Sequence, residues 1–304
     1  MKNILHKLFK PNKGIAIWGW WQGGNLGDNW IKQVMAKAFT DSCFISTDTP
    51  STDLNKYSFL ICGGGGLFIR DVYETWKQKI VVPFGAIGLG AEFSHKTNAA
   101  FALSQRAQFF FARDQYSIEC MHLSDKHRSY DMTFFDPLPV LEKPDLGKIL
   151  FIWRAPEELL VYDDFIQYIG KSSPEQEWIK ILKHNFQTIT TDTFLTTDNY
   201  IKLITDDVEF IISARYHGII AAIQRGIPCI GIDICPKIRA LLKECGLENF
   251  CLKLSEVNML EKKINEGRDN AHLIRQKQLD FAAGAHAKVT ADVNYALKKI
   301  RQFI

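Results

Sequence analysis

Long apolar runs are missing from this chain. No stretch reaches the roughly 20 residues that a membrane-spanning helix needs, and the opening MKNILHKLFK has no extended apolar core of the kind that marks a secretory signal. A helical membrane protein is excluded on that ground, and a cytoplasmic location is expected. The seven cysteines are odd in number and scattered, with no CxxC pair, so neither a disulfide framework nor a zinc site of paired cysteines is indicated and a reducing compartment fits. No tight group of His, Asp and Glu stands out either, so no metal is expected. Charge of one sign is scarce as well: 37 Lys and Arg stand against 34 Asp and Glu, for a net charge of +3 and a pI near 8.4. With no basic stripe, nucleic acid is not an expected partner. Internal repeats and low-complexity segments are also absent.

What is present suits a globular α/β protein. A chain of 304 residues that is 46% hydrophobic can bury sizeable cores, and its length suggests two domains. In the first half short apolar runs alternate with helical patterns: 14–20, 43–46, 59–62, 81–90 and 109–112 read as strands. A helix over 28–39 carries Trp30, Ile31, Val34, Met35 and Ala38 on one stripe. This alternation predicts a parallel, doubly wound sheet. Prolines concentrate between Asp131 and Lys148, and the domain boundary is placed there, giving lobes 1–145 and 146–304. The second half restarts with a strand over 148–153, continues through helical stretches near 161–169 and 174–186, and ends in a long basic helical tail from Asp269.

The most informative segment is SARYHG, Ser213 to Gly218. It follows VEFIISA, a continuously apolar and β-branched run of the kind buried on both faces. It precedes a helical pattern over 216–225 that stops at Gly226, after which Pro228 to Asp233 forms a second buried run. That is a βαβ unit, and ligands of open α/β sheets bind beyond the carboxyl ends of the strands. Arg215 offers a planar fork to phosphate or carboxylate, and His217 can exchange a proton near neutral pH, beside a helix N-terminus that itself attracts anions. The bland alternative has His217 packing at the turn and Arg215 on the surface.

Three further loops follow strands. In GGNLGD, Gly23 to Asp28, glycines permit close backbone approach, while Asn25 and Asp28 either contact a ligand or cap the turn and helix. CGGGG, Cys62 to Gly66, brings Gly64 and Gly65 close to a phosphate or sugar. It is neither a dinucleotide fingerprint nor a P-loop. In FFFARD, Arg113 either clamps an acid group or forms a structural ion pair with Asp114. Trp20, Trp21 and Trp30 flank the first loop, where they can stack on a sugar or serve as packing.

GNLGD, the glycine run at Gly63 to Gly66, GAIGLG at Gly85 to Gly90, RDQYS at Arg113 to Ser117, and SARYHGIIAAIQRGIPCIGIDICPK at Ser213 to Lys237 together resemble the polysaccharide pyruvyltransferases, over residues 14 to 250. Two departures are visible: Ile87-Gly88-Leu89 where the family turn reads GIGP, and Asn29 where an acidic residue often follows GNxGD. The resemblance implies two Rossmann-like lobes facing a cleft, as in GT-B glycosyltransferases. It implies transfer of a pyruvyl group from phosphoenolpyruvate to two hydroxyls of one sugar, with loss of phosphate and no cofactor beyond the donor. On this reading His217, Arg215 and Arg113 carry catalysis, and the donor is also held by Gly64, Gly65 and Lys237. Asn25, Asp28 and Trp21 face the acceptor, a saccharide of capsule, exopolysaccharide or cell wall, or its lipid-linked precursor. The alternatives are a GT-B-like glycosyltransferase using a nucleotide sugar and a non-catalytic phospho-sugar binder. The basic first decapeptide can either rest on the inner face of the cell membrane or pack on its own domain.

Overall fold

The computed structural model describes residues 12–21, 26–46, 54–68, 80–91, 98–142, 147–152, 189–192 and 204–304. The helical stretches expected at 161–169 and 174–186 lie outside these residues. The chain separates into two compact units, Met1–Asp136 with Ala285–Ile304, and Pro137–Gly284.

In the first unit, β1 (Asn12–Gly19), α1 (Leu26–Ala38), β2 (Ser42–Ser46), β3 (Tyr57–Phe68), β4 (Phe84–Ala91), α2 (Asn98–Arg106), β5 (Phe110–Ala112) and α3 (Gln115–Cys120) follow in chain order. The described strands pair in parallel in the order β2-β1-β3-β4-β5. Every residue of β4 is buried, as expected of a strand covered on both faces. The five apolar residues expected on one stripe of α1 are all buried. On one side of the sheet Ala16, Trp18, Leu60, Cys62, Phe84, Ala86, Leu89 and Phe110 form a single core. On the other, Gly63 leaves room for Met35 of α1 beside Ile17.

The second unit repeats this plan. β6 (Lys148–Ile152), β7 (Ile189–Asp192), β8 (Val208–Ser213), α4 (Tyr216–Arg225), β9 (Cys229–Ile232), α5 (Pro236–Glu244), β10 (Cys251–Leu252), α6 (Leu260–Asp269) and α7 (Ala271–Ile300) follow in order. The parallel order is β10-β9-β8-β6-β7. Read from the other edge, with β6 as the first strand, this is again second-first-third-fourth-fifth. Both units are therefore doubly wound sheets whose strand order reverses between their first and third strands, the place where such sheets bind ligands.

Two differences from the sequence reading have clear causes. β7, with the sequence ITTD, has no apolar run to announce it because it is an edge strand. The chain divides at 136/137 rather than 145/146, and residues 285–304 join the first unit instead of staying with the second. Aromatic packing explains that assignment: Phe303 lies 5.6 Å from Phe59 between ring centroids, Tyr295 packs edge-on to Phe111 at 6.0 Å, and the His286 ring nitrogen bonds the Phe134 carbonyl at 2.9 Å. The first half of α7 is tied to the second unit by Arg275, which donates to the Gly226 and Leu141 carbonyls at 2.9 and 2.5 Å.

Candidate active site

SARYHG sits at the carboxyl end of β8, where Ala214 N–H bonds the Ile152 carbonyl of β6 at 2.8 Å. This is the reversal point of the second sheet. The Ser213 hydroxyl is buried and holds the turn from both sides: it donates to the Arg215 carbonyl at 2.9 Å and accepts from the Arg215 N–H at 3.0 Å. Gly218 is needed immediately behind it, because a Cβ at that position would run into the Ser213 hydroxyl. The role of Ser213 shows only in the fold, although it stands inside the motif. Its signal is a short hydroxyl two residues before a residue whose backbone must leave the strand, a known local device.

Arg215 is the N-cap of α4, with φ −102° and ψ 127° and no side-chain capping bond. The N-terminus of α4, which begins at Tyr216, thus stands just beyond the carboxyl end of β8, where the helix dipole favours an anion. The helix is anchored firmly behind it. Ile219, Ile220 and Ile223 are completely buried, and each contributes about 1.5–3 kcal/mol by leaving water. Gly226 closes the helix at φ 68°, a left-handed value that suits glycine.

Tyr216 ties the next two residues of the site together. Its buried ring meets His217 edge-on, with centroids 5.4 Å apart and planes at 89°. Lys237, in the first turn of α5 beyond β9, holds its Nζ 5.9 Å from the same ring. Lysine after a strand is usually solvated, yet Lys237 is only 8% exposed. The structure therefore brings Arg215, His217 and Lys237 to one edge of the second unit. Asp233, at the end of β9, is neutralised by Arg239, whose Nε lies 2.7 Å from its carboxylate.

In the first unit Trp21, Asp28, Gly64 and Gly65 come together where that sheet reverses, between β1 and β3. Gly64 and Gly65 have φ of 80° and 75°. A Cβ on Gly64 would lie 3.3 Å from the Trp21 ring, and one on Gly65 would lie 2.6 Å from Oδ1 of Asp28. These glycines are thus required by close approach as well as by backbone conformation. Asp28 lies within the first turn of α1. Asn25 is outside the described residues.

Two expected site residues are placed otherwise. Trp21, expected to face the acceptor, is only 9% exposed. Its Nε1 donates to the Ile17 carbonyl at 3.3 Å and its ring packs edge-on to Phe44 at 5.4 Å, so it serves the core. The neighbouring Trp20 is 44% exposed. Arg113, expected to clamp the donor, has a side chain only 1% accessible. Its Nε lies 3.1 Å from Asp114, and its Nη1 lies 3.8 Å from Asp131. With two carboxylates around one guanidinium, Arg113 is a buried structural cation in this arrangement. The same network continues outward. Asp114 accepts from Ser117 N–H at 2.6 Å, Ser117 Oγ accepts from Ala91 N–H at 2.9 Å, and Asp131 accepts from the Thr133 N–H and hydroxyl at 3.0 and 2.9 Å. Gly90 leaves the space that the guanidinium occupies. Sequence reading missed Asp131 because its partner is reached only through the fold.

All seven cysteines are free, and six are buried. Burial pushes the Cys245 and Cys251 thiols up to about 12, which suits packing rather than nucleophilic chemistry. Among the described residues no group of three or more His, Cys, Asp or Glu is placed to hold a metal ion, and no helix is long and apolar enough to cross a membrane.

Comparison with known proteins agrees with this α/β, GT-B-like plan. Of solved structures, the UDP-GlcNAc 2-epimerase from Neisseria meningitidis bound to UDP-GlcNAc is similar with a TM-score of 0.54, at 11% identity over 94% of this chain and 100% of that one. An S. aureus MnaA–UDP co-structure is similar with a TM-score of 0.48, at 11% identity over 94% and 96%. A UDP-N-acetylglucosamine 2-epimerase structure from Listeria monocytogenes gives 0.47, at 6% identity over 91% and 94%. At such identities the likeness is one of fold. No curated protein matches in sequence. The family model for polysaccharide pyruvyl transferase matches residues 25–236, from the loop beside Asp28 through SARYHG to the start of α5. That is more than two thirds of the chain, and the chain belongs to the polysaccharide pyruvyl transferase family.

Proposed function

We propose that this protein transfers the pyruvyl group of phosphoenolpyruvate to two hydroxyls of one sugar in a cell-surface polysaccharide or its lipid-linked precursor, forming a cyclic ketal. The observation that carries the reading is the edge of the second unit. There Arg215 and His217 lie at the N-terminus of α4, and Lys237 in the first turn of α5 meets the same Tyr216 ring as His217. Phosphoenolpyruvate holds a phosphate and a carboxylate close together, and a guanidinium fork, a buried ammonium and a helix N-terminus are the groups that recognise such a pair.

In the scheme, protonated His217 gives its proton to carbon 3 of the enol as a general acid. Carbon 2 becomes electron-poor, and an acceptor hydroxyl adds to it and loses its own proton. The carbon 2–phosphate oxygen bond then breaks, and phosphate departs with the electron pair toward Arg215 and Lys237. The second hydroxyl adds to carbon 2 and loses its proton, closing the ketal. The net change is phosphoenolpyruvate and a diol giving the ketal and inorganic phosphate. Arg113 acts at one remove in this scheme: it holds the β4 end and the turn after β5, and does not touch the donor.

A melting-shift experiment tests the donor. Phosphoenolpyruvate should raise the melting temperature of the protein, while UDP and GDP should leave it unchanged; the reverse pattern would favour a nucleotide-sugar glycosyltransferase. His217→Gln should retain most of the phosphoenolpyruvate shift while phosphate release with saccharide acceptors falls about 100-fold or more, the range expected for a lost general acid. Unchanged phosphate release in that variant would remove His217 from the acid role.

A further inference from the structure

Resting on the donor and the acid proposed above, we infer that Tyr216 is a positioning residue: its buried ring orients the His217 imidazole and holds the Lys237 ammonium. Successive side chains on a helix point about 100° apart and do not ordinarily face each other. The His217 imidazole nevertheless stands edge-on to the Tyr216 ring, with 5.4 Å between centroids and the planes at 89°. The other contact comes from a different segment. Lys237 belongs to the first turn of α5, beyond β9, the strand that pairs with β8, and its Nζ lies 5.9 Å from the centroid of the same ring. One aromatic side chain thus meets a group from each of two neighbouring helix starts.

Burial alone would make Tyr216 an ordinary core residue. Alkyl side chains can fill the buried side of α4, as Ile219, Ile220 and Ile223 do further along. What they lack is a quadrupole. An aromatic ring has a negative face and a positive edge, so it attracts an ammonium group as no alkyl side chain can. That matters for Lys237, which is 8% exposed and therefore keeps little water around its side chain to offset its charge. Tyr216 itself is 5% exposed, so it acts through its two neighbours and not on the donor. The chemistry of the donor gives a reason for a shared support. In phosphoenolpyruvate the carbon that takes the proton and the oxygen that leaves with phosphate are bonded to the same carbon 2. The acid and the cation that receives phosphate must therefore be kept at one span, and a ring that meets both sets it.

The test compares the full-length wild type with Tyr216→Phe, with Tyr216→Leu and with pentafluorophenylalanine placed at position 216. Phosphoenolpyruvate affinity is read by calorimetry, and the His217 ring protons are read by NMR, assigned by their loss in His217→Gln. Tyr216→Phe keeps the ring and should bind the donor within about twofold of wild type, with one sharp set of His217 resonances. Pentafluorophenylalanine keeps the shape of the ring but reverses its quadrupole, so it should weaken donor binding roughly tenfold relative to Tyr216→Phe. In a Lys237→Met background the same fluorination should change donor affinity no further, since the cation is gone. Tyr216→Leu should broaden or double the His217 resonances; if that variant does not fold, the fluorinated ring still decides. Equal donor affinity with the plain and the fluorinated ring, or a His217 signal as sharp in Tyr216→Leu as in wild type, overturns the inference while a wild type that binds phosphoenolpyruvate leaves the donor reading in place. A wild type that does not bind phosphoenolpyruvate removes the donor reading and this inference with it.

Discussion

Removing the guanidinium of Arg113 separates a structural cation from a donor ligand. Its side chain is inaccessible to solvent and stands between the carboxylates of Asp114 and Asp131. In Arg113→Ala those carboxylates keep the Ser117 and Thr133 donors but lose the guanidinium that stands between them. Breaking one side of a buried ion pair costs about 3–5 kcal/mol, and the space beside Gly90 is emptied as well. Against a total stability on the order of 5–15 kcal/mol, that loss should lower the urea midpoint substantially. Replacing all three charges, as Arg113→Met with Asp114→Asn and Asp131→Asn, should recover a large part of it, since the unpaired charge is then gone. The assay is equilibrium urea unfolding followed by tryptophan fluorescence, together with the phosphoenolpyruvate melting shift. If Arg113→Ala unfolds at the wild-type midpoint while its response to phosphoenolpyruvate disappears, the structural assignment is wrong and Arg113 is a donor ligand.

Gly218→Ala should weaken the phosphoenolpyruvate shift severalfold. Alanine in place of glycine inside a helix ordinarily gains about 1 kcal/mol, but here the added carbon would displace the buried Ser213 hydroxyl that fixes Arg215. An unchanged shift would show that this turn does not hold the donor. Titration of the native protein with a disulfide reagent at pH 8 should find one fast thiol, Cys43, because it is the exposed cysteine. Cys245 and Cys251, pushed up to about 12 by burial, remain protonated there. Two or more fast thiols would mean that one of the two units opens to expose a buried cysteine.

Much of the fold was legible because the sheets are built from local patterns. VEFIIS is an unbroken apolar run and is buried throughout β8. The 3.6-residue pattern of YHGIIAAIQR ends at Gly226, as α4 does. The placing of Arg215 and His217 at a strand end followed from those two periods alone. β7 was not legible, since an edge strand with the sequence ITTD carries no periodic signal.

By itself the sequence determined the α/β class, the parallel alternation, the family and the turn that carries Arg215 and His217, because each of these is written in neighbouring residues. Only the tertiary structure decided which side chains meet water or one another. It buried Trp21 and exposed Trp20, turned Arg113 toward Asp131, laid Lys237 over Tyr216 and gave the end of α7 to the first unit. The physical reason is the same in each case: burial and pairing depend on what a different segment brings alongside, and periodicity within one segment does not encode its partner.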